Sequence, residues 1–73
     1  RQLPVREGSR YDGRPLGDTG MRTKTGVSIV AVMRAGQVQP SPTPGFTLVS
    51  GDLLVAVGTA DGLDAAARIL GNA

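Results

Sequence analysis

The chain contains no cysteine and no histidine. Disulfides, zinc centres built on Cys or His, and Ser–His or Cys–His catalysis are thereby excluded. Tyr11 and Phe46 are its aromatic residues, too few for a platform on which single-stranded nucleic acid stacks. No apolar run approaches the roughly 18 residues that span a bilayer. The opening, Arg1-Gln2-Leu3-Pro4, has neither an initiating Met nor a signal-peptide pattern, and reads as a domain excised from a longer protein. Neither charge sign dominates: 8 Lys+Arg face 6 Asp+Glu. A net +2 does not make a DNA-coating protein, so no DNA or RNA partner is expected. What remains is a globular composition, 40% hydrophobic in 73 residues, which is one domain, 1–73. A single core of this size rarely supplies more than about 3–5 kcal/mol. Self-association that buries more apolar surface is therefore expected.

The 11 Gly and 5 Pro imply short elements and many turns. Gln2 to Arg6 alternates polar and apolar residues. Pro4, which lacks a ladder donor, marks it as an edge strand. Gly8 to Gly13 reads as a loop. Pro15 opens a short helix through Leu16, interrupted near Gly20 and resuming from Met21 to Thr25, with Gly26 as its stop. Val27 to Arg34 is the clearest strand. Val27, Ile29, Ala31 and Met33 alternate with Ser28, Val30, Val32 and Arg34; both sets are largely apolar, which predicts a central strand covered on both faces, at least in its middle. Ala35-Gly36 is a two-residue hairpin turn, after which Gln37 to Gln39 returns antiparallel. Pro40, Pro42 and Pro44 end the pairing and stiffen a connector. Thr47 to Val49 reads as a short strand, Ser50-Gly51-Asp52 as a turn, and Leu53 to Val57 as a buried strand. Leu63, Ala66, Ala67 and Leu70 then form one helical stripe. Thr59 or Asp61 is placed to cap it, and Gly71 to end it. The fold class is α+β: a small, mostly antiparallel sheet with two helices, in the order β-α-β-β-β-β-α.

No two carboxylates fall at a spacing that demands acid–base or metal chemistry. The chain is expected to be no enzyme, with no catalytic residue, metal or cofactor. Asp52 reads as a turn residue, and Arg22 has Asp18 four positions earlier as an ordinary surface partner.

Several segments together carry a resemblance. They are Leu16-Gly17-Asp18, Met21-Arg22, Gly26-Val27-Ser28-Ile29-Val30-Ala31-Val32, Pro40-Ser41-Pro42 and Gly51-Asp52-Leu53-Leu54-Val55-Ala56-Val57-Gly58. The chain resembles the C-terminal domain of RCK proteins, the TrkA-C domain, from Leu3 to Leu70. Leu3-Pro4-Val5-Arg6-Glu7-Gly8-Ser9 with Gly13-Arg14-Pro15-Leu16 is most similar to the regulatory subunits of bacterial potassium and cation/proton antiporters. The resemblance implies a homodimer that senses a small ligand and controls a membrane cation transporter subunit. It also implies a cytoplasmic location, peripheral to the membrane's inner face through that partner. In several members the ligand is cyclic di-AMP, held at the dimer interface. The positions matching its site are Met21, where the family usually has Ile, Arg22, Ser28, where Asn is frequent, and Pro42.

Physical chemistry favours the same residues. Cyclic di-AMP has two-fold symmetry, two phosphates and two adenines, and an isologous dimer shares that symmetry. One Arg22 from each subunit suits each phosphate. Backbone N–H groups around Gly20 are expected to add donors. Met21 and Pro42 offer apolar surfaces to the bases, and Ser28 a hydroxyl. The alternative is a dimerisation or docking module of a transporter regulatory subunit that binds no ligand.

Overall fold

The computed structural model describes residues 1–72. Four strands form one antiparallel sheet: β1 (Gln2–Pro4), β2 (Ser28–Arg34), β3 (Gln37–Pro40) and β4 (Leu53–Val57), in spatial order β1-β4-β2-β3. A 3₁₀ turn (Leu16–Thr19), helix α1 (Met21–Thr25) and helix α2 (Ala60–Ile69) complete the regular elements. Pro4 sits on an edge strand, where its missing N–H breaks no ladder bond. Ala35 and Gly36 both take positive φ, the geometry of a two-residue turn matching strand twist. No helix among the described residues is long and apolar enough to cross a membrane.

The expected strand at Thr47 to Val49 does not join the sheet. Residues 46–48 instead run beside the 13–16 loop. Gly13 donates to the Leu48 carbonyl at 2.7 Å, Leu48 to Arg14 at 2.9 Å and Leu16 to Phe46 at 2.7 Å. These bonds satisfy the segment's backbone locally, and β1 already occupies the free edge of β4. The described residues therefore form four strands rather than five.

Strand β2 also departs from simple alternation. Its register against β4 shifts between Ile29 and Ala31, so Val30 is bulged. The extra residue reverses the phase: Val27 and Ile29 face the core before it, and Val32 faces the core after it. Leu3, Leu54 and Ala56 share that inner face with Val32. Helix α2 covers it with Ala66, Ala67 and Leu70, while α1 contributes Met21. The other face stays uncovered within the protomer, contrary to the expectation that β2 is covered on both sides: Val30, Val38 and Val57 are 45%, 59% and 58% exposed.

Thr59 caps α2; its side-chain oxygen accepts from the Gly62 N–H at 3.0 Å. Gly62 is where α2 meets the end of α1. A Cβ there would lie 2.8 Å from the Thr25 carbonyl oxygen. Gly62→Ala is therefore expected to destabilise the domain despite the better helix propensity of Ala. Overpacking costs about 1–3 kcal/mol and the propensity gain is about 1. A thermal melt several degrees below wild type is the expected result; an unchanged or raised melting temperature would contradict the close approach.

Asp52 is more than a turn residue. It is wholly buried and accepts from Arg34 through both oxygens, Nε to Oδ1 and Nη2 to Oδ2, each at 2.7 Å. Oδ2 also accepts from the Val49 N–H at 2.9 Å. Arg34 reaches the Thr47 carbonyl at 2.9 Å and lies over the Phe46 ring, 5.0 Å from its centre. Burial alone would push the Asp52 carboxyl up, but the bonds from Arg34 and Val49 outweigh it and hold it below the ordinary carboxylate value. The bond to Asp52 correspondingly raises Arg34.

Candidate functional site

A hollow of about 380 Å³ opens between the 3₁₀ turn, α1, the start of β2 and the proline connector. Met21, Arg22, Ser28 and Pro42 all line it. Local bonding explains the convergence. Gly17 donates to the Pro44 carbonyl at 2.8 Å, drawing the connector onto the 3₁₀ turn. A Cβ on Gly17 would sit 3.1 Å from the Pro44 side chain, so a small residue there lets the two segments approach. Ser41 donates to the Val30 carbonyl at 3.0 Å, which ties the other end of the connector to the bulge in β2. Pro42 lies between these two anchors.

Arg22 is exposed on α1 and, among the described residues, is the single charged one lining the hollow. Asp18, its expected surface partner, is taken by Arg14, whose Nε and Nη2 lie 3.0 and 2.9 Å from Asp18 Oδ2. Arg22 takes part in none of the ion pairs among the described residues. Its guanidinium is thus an uncompensated charge beside a mainly apolar wall that includes Leu16, Val27, Ile29 and Pro44.

Met21 is 3% exposed, so it is foremost a core residue that forms the floor. Ser28 and Pro42 are half-buried. The backbone donors expected around Gly20 are largely spent: Gly20 donates to the Gly17 carbonyl at 3.1 Å and Met21 to Thr19 Oγ1 at 3.2 Å. Thr19, buried and donating to the Leu16 carbonyl at 2.8 Å, holds the junction of the 3₁₀ turn and α1. Sequence reasoning missed Thr19, Gly17 and Pro44. The spacing of the three prolines signalled Pro44, but as a connector rather than as part of a wall.

The TrkA-C domain model matches residues 1–71. This chain belongs to the TrkA-C family. Two curated relatives place such domains in longer proteins. An uncharacterized transporter of Bacteroides thetaiotaomicron is 37% identical over 81% of this chain. Potassium channel protein 1 of Methanocaldococcus jannaschii is 38% identical over 73% of it. The matched part is 11% of the first and 16% of the second. Among solved structures, the RCK_C domain dimer of S. agalactiae BusR in complex with c-di-AMP superimposes with a TM-score of 0.88. It is 26% identical, and the match covers 99% of this chain and 89% of that one. The KtrA RCK C domain in complex with c-di-AMP gives a TM-score of 0.84 at 26% identity, covering 93% and 78%. BusR in complex with its busAB-promotor DNA also matches, over 35% of that chain. For this TrkA-C domain, the expectation of no nucleic-acid partner therefore rests on its charge alone.

Proposed function

We propose that this TrkA-C domain is the ligand-sensing regulatory domain of a bacterial potassium or cation transporter of the cation/proton antiporter type. In this reading it works at the cytoplasmic face, binds cyclic di-AMP at a homodimer interface and controls transport. The observation that carries the reading is the hollow with Arg22 as its single charge, lined also by Met21, Ser28 and Pro42. Its volume falls within the roughly 300–1,000 Å³ of small-molecule sites. One phosphate per Arg22 and one adenine per apolar wall account for half of a two-fold ligand, so a second protomer completes the site. The c-di-AMP complexes of the BusR and KtrA domains support the choice of ligand.

A second reading has one observation in its favour. Met21 is so thoroughly buried that packing alone explains it, as a ligand-free docking module would require. Titration calorimetry with cyclic di-AMP separates the two. Saturable binding at one ligand per two chains is expected. A ligand bridging two protomers binds only the assembled state, so at about 100 times its dissociation constant it stabilises that state by roughly 2.7 kcal/mol. The melting temperature should rise accordingly; no heat and no shift at saturating ligand would leave the docking module standing.

A further inference from the structure

We propose that a hollow between residues 6–10 and the C-terminal end of α2 is a second ligand site, which takes an anion carrying two linked phosphates, either free or as the tail of a nucleotide. It shares no residue with the Arg22 hollow and does not depend on the reading above.

The hollow measures about 470 Å³ and is lined by Arg6, Glu7 and Arg10 of the loop and by Arg68 of the last turn of α2. These two segments are distant in sequence, and local bonds hold both. Asn72 Nδ2 donates to the Pro4 carbonyl at 2.8 Å, which fastens the chain after α2 to the strand that leads into the loop. Gly71 donates to the Arg68 carbonyl at 3.0 Å and Ser9 to the Arg6 carbonyl at 3.0 Å. The Tyr11 N–H donates to Ser9 Oγ at 3.2 Å, and Arg10 lies over the Tyr11 ring, 5.3 Å from its centre.

Charge distinguishes this hollow from ordinary surface. The three ion pairs among the described residues, Arg1–Asp64, Arg14–Asp18 and Arg34–Asp52, all lie elsewhere. Three arginines against Glu7 give the lining a net +2, which is the net charge of the entire chain. The charges of the remaining side chains therefore balance, and the whole excess converges here. The C-terminal end of a helix carries about −0.5 charge and favours one cation beside it. That accounts for Arg68 but not for Arg6 and Arg10, which come from the other segment.

The side chains also select the ligand. All three cations are guanidinium groups, planar forks suited to phosphate. Cations on two separate segments favour an anion with acceptors at both ends, which two linked phosphates supply better than one. The volume lies within the roughly 300–1,000 Å³ of small-molecule sites. An anionic bilayer presents a plane and duplex DNA a row of phosphates, so a hollow suits neither as well.

Titration calorimetry with pyrophosphate, ADP and AMP at low salt is the test. Pyrophosphate and ADP should saturate at one per chain, and AMP should bind at least about 10-fold more weakly. Pyrophosphate as tight as ADP would show that the phosphates alone are recognised; tighter ADP would show that a nucleoside adds contact. Either supports the site. Arg10→Gln and Arg68→Gln replace exposed side chains, so each should lower affinity roughly 10-fold at an unchanged melting temperature. Lys24→Gln is the control: Lys24 is in no ion pair among the described residues and lines neither hollow. It should cost less than about two-fold, as a distant screened charge does. The proposal is overturned by an absence of saturable binding, by AMP equal to ADP, or by binding that Arg10→Gln and Arg68→Gln leave intact. Equal losses in Lys24→Gln and Arg68→Gln overturn it too. So does capture of the chain by phosphatidylserine vesicles or duplex DNA through Arg10 and Arg68 that pyrophosphate does not displace.

Discussion

Arg22→Ala is expected to lower the affinity for cyclic di-AMP by roughly 10²–10⁴-fold while leaving the fold intact. Its side chain is exposed and in no ion pair among the described residues, so truncation removes no structural bond. A charge-assisted contact to a phosphate is worth about 1.5–3 kcal/mol. In a two-fold site each substitution acts twice, which gives about 3–6 kcal/mol per ligand and the stated range. Arg22→Lys should recover part of the loss, since an ammonium keeps the charge but lacks the planar fork. Arg6→Ala is the matched control: it changes charge equally and lies outside the hollow's lining. Calorimetry on the three variants decides the matter. Equal weakening by Arg22→Ala and Arg6→Ala would reduce the role of Arg22 to diffuse electrostatics.

Much of the fold was legible because local signals agree with the final packing. The apolar stripe of α2, the Ala35-Gly36 turn and the edge placement of Pro4 each follow from one short stretch of sequence. The bulge at Val30 carries no such signal. It sits in a run of β-branched and small residues with no Gly or Pro, and tertiary pairing with β4 places it. Without the bulge, strict alternation assigns Val32 to the face opposite Val27, and two apolar faces look like evidence of burial on both sides. The protomer covers one of them. Residues 46–48 misled for a related reason: their extended conformation is real, but their partners are the 13–16 loop. At the candidate site, Met21 and Arg22 were legible as adjacent residues of a motif. The contact between Gly17 and Pro44 that shapes the wall joins distant positions, and no periodicity announces it.

Asp52→Ala is expected to be among the most destabilising single substitutions in the domain. The Arg34–Asp52 pair joins residues 18 positions apart and pins the end of β2 to the loop that enters β4. Removing the carboxylate leaves the Val49 N–H without its acceptor and strips Arg34 of its bidentate partner. Breaking a buried pair from one side costs about 3–5 kcal/mol. Arg34 is 42% exposed and keeps its bond to the Thr47 carbonyl, so solvent recovers part of that cost and roughly 2–4 kcal/mol is expected. A domain of this size has only about 4–11 kcal/mol in total. Asp52→Asn should fall between wild type and Ala, because its amide keeps one acceptor but turns a donor toward Arg34 or Val49. The pH dependence gives a second readout. The folded carboxyl lies below its unfolded value of about 3.9, so its contribution is complete above that pH and disappears as pH falls through the folded value. Wild type should therefore lose stability below about pH 4. Denaturant titrations at several acid pH values should show a shallower decline for Asp52→Asn, which has no proton to gain at that site. Parallel profiles for the two proteins would mean that the Arg34 bond does not set the carboxyl's acidity.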